Sequence, residues 1–317
     1  MRRAALWVLL GIAWTALPAL AQPFPEPRSA RITDRVHVLL GPIQHANPEN
    51  QGYMVNSTVI VGDTGVILVD PGGTHEVGLH VAKAVRRITP KPVTHVVNTH
   101  FHGDHHLGNS AFPGATIVSS QRCRAQVIET GHEWVALMAQ MTGLPLSGTK
   151  AIPASLTYPA DSRTETVLHG VRMVFWVPRA SHTEGDLMVY LPQEKVVVAG
   201  DIAVKGAVPV MQDGNIRNWI GTLGQVEALD PATVVPGHGE LMKSADVTAL
   251  RRSLERFHAG VKAAYDRGVA EGDVRKGLDL AEWERLERPY VIGRNINRAY
   301  MEIENDGLDP TPAKEKR

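Results

Sequence analysis

Residues 98–106 read Asn-Thr-His-Phe-His-Gly-Asp-His-His and follow directly on the apolar run Thr94-His95-Val96-Val97. A strand that runs into close-set imidazoles and carboxylates has few structural uses, so this stretch constrains the fold more than any other. Side chains two positions apart on an extended segment point the same way. His100 and His102 therefore face one cation together, Asp104 continues their parity, and His105 turns with the chain toward a second cation. Imidazole and carboxylate donors without thiolate suit zinc, with iron or manganese as alternatives, and argue against a cysteine-rich structural zinc site. Four donors cannot complete two coordination spheres, so the rest must come from elsewhere. Candidates stand at strand margins: His182 ahead of Leu187–Leu191, Asp201 after Val196-Val-Val-Ala-Gly200, and His238 after Val234-Val-Pro-Gly237.

The N-terminus carries Arg2 and Arg3, an apolar run from Ala4 to Leu17, and the small-residue triplet Ala19-Leu20-Ala21. This pattern predicts a secretory signal peptide over residues 1–21, short of the roughly 20 apolar residues a spanning helix needs. The mature chain is then secreted, to a periplasm in the bacterial case, with no membrane span. Lys plus Arg and Asp plus Glu are equal at 33 each, which leaves no basic surplus for nucleic acid or anionic lipid and favours a small-molecule substrate. Cys123 is the single cysteine, so no intrachain disulfide forms. It reads as a packed helix residue, although Arg122 and Arg124 beside it would lower a thiol pKa if it were accessible.

Residues 22–35 form a proline-rich leader, and from Val36 the chain alternates strand-like runs with Gly, Pro and Asp turns. Strands are predicted over 36–40, 53–61, 65–69, 94–97, 116–119, 171–177, 187–191, 195–199 and 233–235. Helices are predicted over 76–88, 121–131 and 218–229. Residues 135–164 show no clean period and read as a long excursion of the kind that is often functional. From Val247, with Leu250, Leu254, Phe257 and Val261 on one stripe, the pattern becomes helical, with further helices over 280–287 and 295–304. The organisation is thus α/β: a catalytic domain over 36–245 and a helical extension over 246–317.

The ordered set H-x-H-x-D-H at 100–105, His182 before Gly185-Asp186, Asp201 at a strand end and Gly237-His238-Gly239 resembles the metallo-β-lactamase-fold hydrolases over about Val36 to Met242. The resemblance implies a four-layer αββα sandwich with a dinuclear zinc centre. In it His100, His102 and His182 bind the first metal, Asp104, His105 and His238 the second, and Asp201 bridges both. It also implies hydrolysis of an ester, thioester, lactone or lactam by a metal-bridging hydroxide, with Asp104 orienting the nucleophile and handling its proton. Dedicated metallo-β-lactamases usually place Cys or Ser where this chain has Asp201. That departure directs the resemblance toward glyoxalase II-like enzymes, and among them toward exported members found with sulfur-oxidation or quinoprotein systems. Three other functions remain open: a β-lactamase, a mononuclear iron persulfide dioxygenase, and an accessory protein bound to a periplasmic pathway partner.

Several further residues carry two readings each. His106 reads as support or packing beside the ligands, and Asp70 either as an acceptor behind a ligand or as a turn residue. Lys205 and Arg217 read as solvated cations, with a grip on a substrate carboxylate as the alternative. Trp134, Met138 and Met141 divide between groove lining and local packing, whereas residues 295–300 read as packing. His45 and the other isolated histidines read as surface or packed imidazoles.

Overall fold

The computed structural model describes residues 24–308, so the signal-peptide segment and the last residues of the charged C-terminus lie outside the described residues. Seven strands, β1 (Arg28–Arg31), β2 (Val36–Leu40), β3 (Ser57–Val61), β4 (Val66–Val69), β5 (Val93–Val97), β6 (Thr116–Ser120) and β7 (Leu156–Tyr158), pair in chain order in one sheet. Pairing is antiparallel from β1 to β4 and parallel from β4 to β7. The second sheet has the order β12-β11-β10-β9-β8, built from β8 (Ser162–Leu168), β9 (Val171–Val177), β10 (Met188–Leu191), β11 (Val196–Val204) and β12 (Thr233–His238). Only its β11–β12 pair is parallel. The helices are α1 (His75–Ile88), α2 (Gly103–His106), α3 (Gln121–Thr142), α4 (Ile216–Ala228), α5 (Ser244–Asp266), α6 (Glu271–Val274) and α7 (Ile292–Leu308).

Strand alternation creates the layers. In β4, Ile67 and Val69 enter the core between the sheets with Phe175, Val189 and Val198, while Val66 and Leu68 pack against Val77, Val81 and Val85 of α1. In β11, Val196 and Val198 face that same inner core, and Val197 and Ala199 face Trp219, Leu223, Leu254 and Ile296 of α4, α5 and α7. Both faces of each sheet are covered, so central strands are apolar throughout rather than alternating. Each fully buried aliphatic or aromatic side chain contributes roughly 1.5–3 kcal/mol. The result is the four-layer αββα sandwich, with α5 and α7 sharing one core with α4.

Several predicted elements differ from those observed: β3 begins at Ser57 rather than residue 53, and β11 runs on to Val204, so Asp201 lies within it rather than after its end. Helix α3 does not stop at Gly131 but continues to Thr142, where Gly143 at φ 69° ends it in the left-handed conformation. Gly131 is a packing position: a Cβ there would lie 2.5 Å from Ala151 Cβ. The excursion over 135–164 is therefore part helix and part β7 and β8, the latter a half-exposed strand whose sequence SRTETVL lacks apolar alternation. Residues 280–287 hold only a 3-10 turn at Trp283–Arg285 rather than a helix. Within the proline-rich leader, Arg28–Arg31 pairs with β2 as an edge strand.

Candidate metal centre

The centre is assembled where the C-terminal ends of β5, β11 and β12 meet the turn that precedes β10. Backbone and side-chain bonds tie the two sheets together at this edge: Leu187 N donates to Thr99 O at 2.7 Å, and Asn56 Nδ2 to Pro236 O and Gly239 O at 2.9 Å each. His102 is the extended N-cap residue of α2, and the short helix after it carries Asp104 and His105 into a second donor group, with the His105 ring still 4.1 Å from that of His100. The β11–β12 ladder shifts register between Gly200 and Val204, which frees Asp201 from regular pairing. Gly237 leaves the room Asp201 needs, since a Cβ on it would fall 1.9 Å from Asp201 Oδ1.

Two donor groups result: His100, His102, His182 and Asp201 in one, and Asp104, His105 and His238 in the other. In the first, His102 Nδ1 lies 3.0 Å from His100 Nε2 and 3.2 Å from His182 Nε2. In the second, Asp104 Oδ2 lies 3.1 Å from His238 Nε2 and 3.5 Å from His105 Nε2. Asp201 stands between them, its Oδ1 3.4 Å from His105 Nε2 and its Oδ2 3.7 Å from His182 Nε2 and 3.5 Å from His238 Nε2.

Each ring is oriented from behind. His105 Nδ1 donates to Asp70 Oδ2 at 2.8 Å, His238 Nδ1 to Met54 O at 2.8 Å, His182 Nδ1 to Val210 O at 3.0 Å, and His102 Nε2 to Asp213 Oδ2 at 2.9 Å. Thr99 Oγ1, which donates to Asp70 Oδ2, receives His100 Nδ1 at 3.0 Å. These outer acceptors fix the tautomers and turn the opposite nitrogens, with their lone pairs, into the centre.

That arrangement fits cations. Three ring lone pairs facing one another at hydrogen-bond distance repel unless a positive charge sits among them. His105 Nε2 and Asp201 Oδ1 are buried and have no hydrogen-bond partner. The protonation preferences agree: burial, reinforced by the neighbouring imidazoles, holds His100 well below the ordinary histidine range, and burial lowers His182 to about 4. Burial opposes ionisation of Asp104, but the His105 and His238 charges outweigh it and hold that carboxyl well below its usual range. Burial would also depress His105, yet Asp104, Asp201 and Asp70 raise it to about 10, so the second group attracts positive charge even as a proton.

A cavity of about 390 Å³ opens on Asp104, His102, Asp201 and His238. Trp134, Leu137, Met138 and Met141 of α3 line one side together with Met54, so the groove-lining reading of this stretch holds. His45, Arg288, Tyr290 and Arg294 are also in its lining, and residue order alone did not single them out. Asp213 was missed for the same reason, because its contact with His102 spans 111 positions. His106 is fully buried outside both donor groups, and Asp70 stands behind His105. Lys205 pairs with Asp246 at 2.9 Å and Arg217 pairs with Asp306, so neither reaches this cavity. Asn295 packs, donating to Pro209 O at 2.7 Å and accepting from Met211 N at 3.1 Å. Burial pushes the Cys123 thiol up to about 12, and Arg122 is engaged by Glu184, so no activated thiol exists there.

An αββα sandwich with imidazole and carboxylate donors gathered at one edge defines a class of metal-binding enzymes. Residues 50–238 match the family model of the Metallo-beta-lactamase superfamily, and the chain belongs to that superfamily. It is 24% identical over 310 residues to a linear primary-alkylsulfatase of Pseudomonas sp. (strain ATCC 19151), a match covering 81% of this chain and 58% of the relative. The chain thus spans less than two thirds of that relative's length. Its fold is similar to that of a metallo-beta-lactamase from Pontibacter korlensis, with TM-score 0.59 and 18% identity over 72% of this chain and 99% of that one. It is also similar to that of the stereoselective inverting sec-alkylsulfatase Pisa1 from Pseudomonas sp., with TM-score 0.64 and 17% identity over 90% of this chain and 52% of that one.

Proposed function

We propose that this protein is an exported dizinc hydrolase that cleaves an ester, thioester, lactone or lactam bond in a small molecule. The observation that carries this reading is the position of Asp201, whose two oxygens reach ring nitrogens of both donor groups. His100, His102 and His182 would hold one cation and Asp104, His105 and His238 another, with Asp201 within reach of both groups. When bound, such a pair would lower the pKa of water and polarise the substrate oxygen.

The protein's own groups do the rest. Asp104, ionised and 8% exposed, borders the cavity and reaches His238, where it orients the attacking water and accepts its proton. Asp70, Asp213 and the Met54 and Val210 carbonyls hold the rings in their metal-facing tautomers. Trp134, Leu137, Met138 and Met141 exclude bulk water from the reacting bond and receive an apolar substrate body. Residues 36–245 carry the donors, and the extension over 246–317 supplies part of the cavity wall. The sulfate-ester names among the relatives add support for ester chemistry, and the signal-like residues 1–21 support export.

The deciding experiment is metal stoichiometry by plasma emission, followed by turnover of thioester, lactone, sulfate-ester and β-lactam substrates on the same sample and on Asp104→Asn. Two zincs per chain, hydrolysis of at least one of these substrates, and loss of roughly 10²-fold or more in the variant are expected. One iron per chain with oxygen uptake on a persulfide would overturn the proposal.

A further inference from the structure

Arg288 is a buried cation without a counterion. It is 8% exposed, yet it makes no ion pair among the described residues, and its one side-chain hydrogen bond is a long 3.4 Å contact from Nη2 to Gln44 O. Its Nε is buried with no partner. A guanidinium is always charged and carries five donors, so leaving it unpaired in a low-dielectric wall is costly unless a ligand completes it.

The backbone holds it there. Arg288 adopts φ 62°, a left-handed conformation that is unfavourable for a residue with a side chain. The preceding Glu287 bridges Ala207 and bonds Val208 N and Gly206 O, which pins the segment to the end of β11. Strain kept at a cavity wall by a tertiary clamp points to use of that side chain. Arg288 and His45 line the same cavity as Asp104 and His238. Exposed Arg294, in the first turn of α7, adds a second positive charge to the same cavity.

We infer that Arg288, with Arg294 beside it, is the specificity determinant of the cavity and binds an oxyanion substituent of the substrate. The substrate class is then an organic acid: an apolar body against Trp134, Leu137, Met138 and Met141, a charged carboxylate-type group on Arg288, and the scissile bond at the Asp104 and Asp201 end. A planar guanidinium suits two-point capture of such a group. This assignment rests on the hydrolase reading for the bond cleaved, but the anion preference is a property of the protein wall.

Calorimetric titration of octanoate against its neutral analogue octan-1-ol tests it, using metal-loaded wild type, metal-stripped wild type, R288Q and R288K. Wild type is expected to prefer octanoate by about 10-fold or more, the scale of a charge-assisted contact. Metal-stripped protein keeps that preference, R288Q loses it, and R288K falls between. Preference unchanged in R288Q, or abolished by metal stripping, overturns the inference by assigning the anion to the metals. Should R288Q fail to fold by near-UV circular dichroism, R288K decides, since a preference equal to wild type there refutes two-point capture. A wrong metal count in the stoichiometry experiment would leave these binding results intact, so the two readings fail separately.

Discussion

Replacing Asp70 by Asn perturbs the centre without touching a donor. Asp70 is 2% exposed and accepts from Thr99 N at 2.8 Å, Thr99 Oγ1 at 2.7 Å and His105 Nδ1 at 2.8 Å. It sits at φ 53°, a conformation Asn tolerates well, so the substitution adds little backbone strain. The new amide keeps Thr99 N on its oxygen but presents an N–H to His105 Nδ1. That ring must then accept at Nδ1 and carry its proton on Nε2, the atom that faces Asp104 and Asp201. A protonated Nε2 cannot ligate. Loss of such a supporting carboxylate typically costs 10–100-fold in metal affinity, or about 1.4–2.7 kcal/mol. Competitive zinc titration against a chromophoric chelator should show the site that holds His105 weakened by that factor, and the site that holds His100, which Asp70 reaches only through Thr99 Oγ1, weakened less. Two unaltered sites, or both weakened equally, would refute the argument that Asp70 acts through His105 on the second donor group.

Gly237→Ala drives a Cβ to within 1.9 Å of Asp201 Oδ1, so Asp201 must move; kcat/KM should fall on the order of 10²-fold, while Gly114→Ala, with nothing within 4 Å, should match wild type. Asp186 is raised from 3.8 to about 7 by burial, against the opposing hydrogen bonds from Thr183. The folded state therefore holds a proton that the unfolded chain releases, and stability falls as pH rises from about 4 to 7. Urea unfolding of metal-free protein across that window should show a steeper decline for wild type than for Asp186→Asn, and parallel curves would refute the assignment.

Much of the centre was legible because donors sit close together in the chain. The strand period nevertheless ends at Val97: His100 and His102 lie in the turn after β5, and α2 carries Asp104 as well as His105 to the second group, so the expectation that Asp104 shares the side of His100 and His102 is corrected. Where tertiary contact overrode local pattern, the reading failed. Gly131 looked like a helix end, but its closeness to Ala151 makes it a packing glycine within α3, which carries Trp134, Leu137, Met138 and Met141 to the cavity. Strand β8 was invisible because its half-exposed position selects polar residues. Lys205 and Arg217 were nearer in sequence to Asp201 than Arg288 and Arg294 were, yet each found an acidic partner and left the cavity to those two arginines.

By itself the sequence determined the donor types and the sheet-rich α/β class, since each follows from side-chain chemistry and strand or helix period. Only the tertiary structure decided which acceptor stands behind each imidazole, how far Asp201 reaches, and which cation enters the cavity. Those depend on contacts between segments as distant as His102 and Asp213, or Gln44 and Arg288, and no local periodicity encodes a distance across a fold.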